Sequence, residues 1–312
     1  MNVSHTSQKC YCIYGVIYFT VGLYELVKYF SRKFGVVMPL KLMYITNNPT
    51  VATIAEKYGV DRIWVDLESI GKEERQHGMN TVKSNHTLED VSAIRNVIRS
   101  SQLLVRVNPL YEETKKEVDE VIERGADLIM LPMFRTVDDA KKFVEIVGGR
   151  AKTILLVETI EAERCLKEIV KVPGADEIHI GLNDLHLAYK MRFMFELLAE
   201  GKVDAMCSII RKAGIPYGFG GIARLNEGTL PARAIIAEHY RLGSSMVILS
   251  RSFYDSRFDR DDEEIELIFK EGIAEIREYE EKLLSEPAGY FEQNHQFVQA
   301  AVSNIVKGLN KQ

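Results

Sequence analysis

The chain is poor in cysteine. Its four thiols, Cys10, Cys12, Cys165 and Cys207, are too scattered for a disulfide framework or a structural zinc site. They read as reduced thiols, which makes the expected compartment the cytoplasm. There is no dense Lys/Arg block, and the formal net charge is -5. Both features argue against a nucleic-acid surface, which needs a basic stripe. A Gly-rich phosphate loop is missing too: the residues after the first candidate strand are Thr46-Asn47-Asn48-Pro49. The apolar run from Cys10 to Tyr24 (CYCIYGVIYFTVGLY) holds about 15 residues, short of the roughly 20 that a membrane span requires. No small-x-small cleavage site follows it, which argues against a secretory signal. Residues 1–38 are therefore read first as a packed or poorly ordered apolar extension. Membrane contact through an interfacial segment is the second reading, and a stretch upstream of a natural start at Met38 is the third.

What is present is ample core. Over 312 residues, 46% are hydrophobic and 27% charged, the balance of a soluble globular protein with one large domain or two ordinary ones. From Leu40 onward, short β-rich runs alternate with stretches of 3.6-residue periodicity. The runs are 40–46, 62–68, 102–108, 127–133, 152–158, 176–182, 215–221 and 245–251. The helical stretches between them include 50–59, 89–98, 115–125, 137–149 and 162–170, and several close on a glycine (Gly59, Gly125, Gly148, Gly214) as a helix C-terminus does. Eight strands alternating with helices predict a (β/α)8 barrel over residues 39–258. A doubly wound open sheet is the competitor, and the missing glycine loop counts against it. The tail, 259–312, reads as two helices, 263–284 and 296–309, broken at Ser285-Glu286-Pro287; one or both could pack on a neighbouring subunit.

Chemistry is expected at the C-terminal strand ends, which face one mouth in a barrel. There the chain places Asp66 and Glu68, Arg106 and Asn108, Pro132 and Met133, Glu158, and Asp184. A lone strand-end carboxylate is as often a helix N-cap. Four around one arginine would repel without a cation or an anionic ligand. A hard divalent metal between two carboxylates, with room left for an anionic substrate, balances the charge.

The segments VDLE (65–68), LLVRVN (103–108), GADLIMLPM (125–133), LLVET (155–159), IHIGLNDL (178–185) and VILSRSF (247–253) resemble, in order, the motifs of the HpcH/HpaI aldolase and citrate lyase β-subunit family. The resemblance implies a barrel of the phosphoenolpyruvate/pyruvate type with extra C-terminal helices. It also implies a homo-oligomer with exchanged helices, and carbon–carbon bond chemistry through a pyruvate or acetyl-CoA enolate. On that resemblance Glu158 and Asp184 are the metal ligands, for Mg²⁺ first and for Mn²⁺ or Co²⁺ as alternatives. Arg106 binds the oxo-acid and stabilises the enolate, and Glu68, Pro132, Met133 and Asp184 complete the substrate pocket.

One departure bears on the catalytic base. The HpaI-type aldolases carry a histidine directly after the strand-two glutamate, and the citrate lyase branch an acidic residue; this chain has Ser69. His77 and His86 in the long loop 71–87, and His186 after strand six, are the candidates for the missing base, with His77 favoured. The expected activity is thus a metal-dependent lyase forming or cleaving a 4-hydroxy-2-oxo acid. The alternatives are a citryl- or malyl-CoA-type thioester lyase and a non-catalytic barrel that binds an acidic metabolite.

Overall fold

Side-chain parity along the strands decides which residues line the barrel. The structure, a computed structural model, describes residues 38–71, 85–255 and 260–309. Its eight parallel strands are β1 (Lys41–Ile45), β2 (Arg62–Asp66), β3 (Gln102–Arg106), β4 (Leu128–Leu131), β5 (Lys152–Val157), β6 (Glu177–Ile180), β7 (Tyr217–Ile222) and β8 (Met246–Leu249). They pair in sequence order, and β8 returns to β1 to close the barrel. The eight expected runs are these eight strands. The chain is a (β/α)8 barrel with extra C-terminal helices.

Alternation splits the core in two. Met43, Trp64, Leu104, Leu128, Met130, Ile154, Leu156 and Met246 form the inner cluster that fills the barrel. The residues between them, such as Ile63, Val65, Leu103, Val105, Ile129, Leu155 and Ile178, join the larger outer cluster beneath the helices. Inside the barrel, Arg62 spans from β2 to Glu177 on β6 by two bonds of 2.6 and 2.7 Å. The guanidinium is fully buried, and Lys41 lies 3.7 Å from the same carboxylate. This buried pair marks the N-terminal end of the barrel, opposite the mouth.

Helix starts follow the sequence closely. The outer helices begin with α1 (Pro49–Lys57), whose N-cap Asn48 accepts from Thr50 and Val51. Next come α2 (Leu88–Val97), α3 (Thr114–Glu123) and α4 (Val137–Val147). Thr87 with Asp90 and Thr136 with Asp139 form capping boxes at the starts of α2 and α4. Gly148 closes α4 in the left-handed conformation, at φ 61°. The expected single helix over 162–170 is two short ones, α5 (Ile160–Arg164) and α6 (Leu166–Ile169). They meet at Cys165, whose thiol contacts the Glu161 carbonyl at 3.1 Å.

After β6 come α7 (Leu182–Ala188), α8 (Glu196–Ala199) and α9 (Lys202–Ala213), and α10 (Ala232–Leu242) precedes β8. The tail is α11 (Asp262–Leu283) and α12 (Ala288–Leu309). The last helix starts eight residues earlier than its apolar stripe suggests, immediately after Pro287, whose fixed φ suits a helix start. Within this chain, α11 packs against α1 and α10, and α12 against α10 and α8. Buried carboxylates anchor both. Glu280 accepts from the Leu40 N–H at 2.7 Å and from Tyr240 and Arg277. Glu238 on α10 takes Asn294 and His295 of α12.

Among the described residues, no helix is long and apolar enough to cross a membrane. The apolar N-terminal run lies outside the described residues.

Candidate active site at the barrel mouth

Parity aims Asp66, Arg106 and Glu158 inward. Arg106 pairs in register with Asp66 and Met130. Its guanidinium makes a fork with Asp66, Nε to Oδ1 and Nη2 to Oδ2, both at 2.8 Å. Nη2 also reaches Glu68 Oε2 at 3.2 Å. Beneath the guanidinium lies the Trp64 ring, 5.1 Å from Cζ to centroid. A planar donor held on three sides this way has one orientation. About an eighth of the side chain remains exposed (13%), enough for an anion to reach it.

Glu158, the residue after β5, is buried, and its Oε1 accepts the Met133 N–H at 3.0 Å. Burial, then the Asp184 carboxylate, push its pKa up to about 8, against the opposing pull of Arg106. Among the described residues no cation forms an ion pair with it. The donor comes from an unusual backbone: Met133 has φ +53°, a left-handed conformation costly for a side chain of this kind. Pro132 before it is buried, and the Thr159 hydroxyl donates to the Phe134 carbonyl at 2.7 Å. The turn after β4 is thus clamped by two residues following β5.

Asp184 does not extend from a strand or loop. It stands in the first turn of α7, whose N-terminal neighbour is Gly181. A Cβ on Gly181 would lie 2.7 Å from Glu158 Cβ and 2.9 Å from Oε2, so only glycine lets β6 pass the carboxylate. The close approach brings α7 and Glu158 together.

The three candidate histidines differ. His77 lies outside the described residues. His86 accepts the Asp66 N–H on Nδ1 at 3.0 Å, which leaves its proton on Nε2 and makes it a donor there rather than a base. His186 is buried, and its Nδ1 donates to Leu182 O at 3.1 Å. Two residues after Asp184 on the same helix, it points to the opposite side. Ser69 does not replace the base either: its N–H and hydroxyl are both turned to Asn108 Oδ1, at 2.9 and 3.3 Å.

Asn108 itself is held by Glu117 of α3, which takes its Nδ2 at 2.8 Å and its N–H at 3.2 Å. Glu117 is not among the sequence candidates. The available signal was its place on the buried face with Thr114, Val118 and Val121. Beside this bracket a cavity of about 310 Å³ opens, lined by Leu67, His86, Asn108, Tyr111, Lys116 and Glu117. It lies on the outer side of the β2 and β3 ends, away from Glu158 and Asp184.

The sequence profile of the HpcH/HpaI aldolase/citrate lyase family matches residues 41–215, more than half of the chain. The chain belongs to this family. Solved structures agree on the fold. An HpcH/HpaI aldolase from Desulfitobacterium hafniense DCB-2 superposes with TM-score 0.51 at 16% identity, over 70% of this chain and 88% of that one. An HpcH/HpaI aldolase/citrate lyase family protein from Burkholderia cenocepacia J2315 gives TM-score 0.54 at 17% identity, over 68% and 88%. No curated protein matches the chain in sequence. As a member of a family of aldolases and citrate lyases, the chain is a lyase by class.

Among the described residues no three histidine, cysteine or carboxylate side chains gather as a ready metal cage. The pair Glu158 and Asp184 nevertheless fits a hard divalent ion. Both are oxygen donors, Glu158 is buried without a cationic partner among the described residues, and their mutual repulsion is what a cation would relieve.

Proposed function

We propose that the chain is a metal-dependent carbon–carbon lyase that cleaves or forms a 4-hydroxy-2-oxo acid through a pyruvate enolate. The observation that carries this reading is buried Glu158 facing the half-buried Asp184 carboxylate, beside an arginine locked in one orientation at the barrel mouth. Glu158 and Asp184 would hold Mg²⁺, or Mn²⁺ or Co²⁺, which supplies Lewis-acid polarisation of the 2-oxo group.

The remaining steps belong to the chain. Arg106 binds the oxo-acid and offers positive charge where the carbonyl oxygen becomes negative. Asp66 and Glu68 keep its guanidinium turned to that oxygen. The Pro132–Met133 turn forms the neighbouring wall. A base takes the proton of the 4-hydroxyl, the C3–C4 bond breaks, the aldehyde departs, and the enolate is reprotonated at C3 to give pyruvate. His77 is our assignment for the base, since the other two histidines are turned elsewhere.

The test is solvent deuterium exchange into the pyruvate methyl group, followed by NMR with and without Mg²⁺ or Mn²⁺. Metal-dependent exchange that is lost in Glu158→Ala supports the assignment. Absence of exchange with every metal would overturn it, in favour of a CoA thioester lyase or a barrel that binds without turnover.

A further inference from the structure

The interior of the barrel contains polar atoms that the proposed chemistry does not use. Along β2 the inward residues are Arg62, Trp64 and Asp66; along β6 they are Glu177, His179 and Gly181. The first of each set form the buried ion pair, and the last of each set stand at the mouth. Between these levels lie Trp64 and His179, 2% and 0% exposed. The indole Nε1 and both ring nitrogens of His179 have no hydrogen-bond partner in the protein. The Gly220 carbonyl is the one backbone group close enough to favour a proton on the ring, without the geometry of a sound bond. Next to His179 on β7 stands Gly218, which contributes no side chain to the interior.

Three unpartnered polar atoms beside the inner cluster of Met, Leu and Ile would each cost about 1–3 kcal/mol. Such a cost is normally removed by buried water, which makes about three hydrogen bonds where several polar atoms converge. We propose that the barrel holds an internal water site shared by Trp64 Nε1 and His179, and that this hydrated layer positions the Trp64 ring on which the Arg106 guanidinium rests. The second half builds on the role of Arg106 proposed above; the first does not. His179 is then a positioning residue. Arg62 and Glu177 face it from below, Arg106 from above, and His239 lies behind the sheet. Burial among them lowers its pKa to about 4, so the ring is neutral and offers one donor and one acceptor to water.

Trp64 is the only tryptophan of the chain, so its indole N–H gives a single unambiguous resonance. On the full-length protein, a water-to-indole rotating-frame Overhauser experiment should show a cross-peak from long-lived water to the Trp64 N–H. In His179→Leu the cross-peak should vanish, and the Arg106 Nε–H resonance should shift. In His179→Gln, which keeps a donor and an acceptor, the cross-peak should persist. A wild-type indole N–H without a water cross-peak overturns the site, whether or not either variant folds. A cross-peak unchanged in a folded His179→Leu removes His179 from it. A constant Arg106 signal removes the positioning role. None of these readouts requires catalytic activity, so they stand or fall separately from the lyase assignment.

Discussion

Arg106 and Asp66 meet as a planar fork of two parallel 2.8 Å bonds across β2 and β3, and Glu68 adds a third contact to the same nitrogen as one of them. The orientation of the arginine is thus fixed by the protein itself, independently of any ligand. Two buried carboxylates hold its direction.

Lysine cannot reproduce that fork. Arg106→Lys keeps one positive charge but loses the planar bidentate contact, so kcat/KM for the oxo-acid should fall on the order of 10²-fold. Circular dichroism should show the barrel intact. Steady-state kinetics at saturating metal decides the matter, and an unchanged kcat/KM would take Arg106 out of the reaction.

Glu158 sets a pH dependence of stability for the metal-free protein. Its folded pKa is raised from 4.5 to about 8, so between those values the native state binds more protons than the unfolded chain. Stability should therefore fall as pH rises through that window, by roughly a few kcal/mol. Urea denaturation in chelator from pH 5 to 8 should show the fall in the wild type and a flatter profile in Glu158→Gln. Equal profiles would mean that Glu158 is not the group responsible.

The Met133 backbone can be tested without touching its hydrogen bond. At φ +53° glycine should be preferred over alanine by about 1 kcal/mol, because the left-handed region penalises a Cβ. Met133→Ala and Met133→Gly remove the same side-chain contacts apart from that carbon, so their difference in thermal stability isolates the backbone cost. Alanine as the more stable of the two would contradict the conformation.

At the floor of the barrel, Glu177→Gln leaves Arg62 buried beside a neutral partner and should cost about 3–5 kcal/mol. The double change Arg62→Leu with Glu177→Leu should recover much of that loss, because the unpaired charge is gone. Arg62 holds the Glu177 pKa below its ordinary value. The stabilisation is therefore present above the ordinary carboxylate range and is lost as pH falls through the lowered folded pKa. Chemical denaturation of the wild type and the two variants at neutral pH makes the comparison; a double variant no better than the single one would refute it.

The sequence by itself determined the barrel. Eight short apolar runs separated by amphipathic stretches leave few other ways to bury both faces of a parallel sheet, and the motif order from VDLE to VILSRSF carried the family. Their position at strand ends also made Arg106 and Glu158 legible as candidates. Other features depended on contacts between residues far apart in the chain. The fork from Asp66 to Arg106, the bracket of Glu117 on Asn108 and Ser69, and the approach of Gly181 to Glu158 arise only when β2, β3, β5 and β6 are side by side. Periodicity sees one element at a time, so it could place Glu117 on a buried face but not name its partner. Only the closed barrel decided that Asp184 joins Glu158 from a helix turn, and that Trp64 and His179 share a buried level between the ion pair and the mouth.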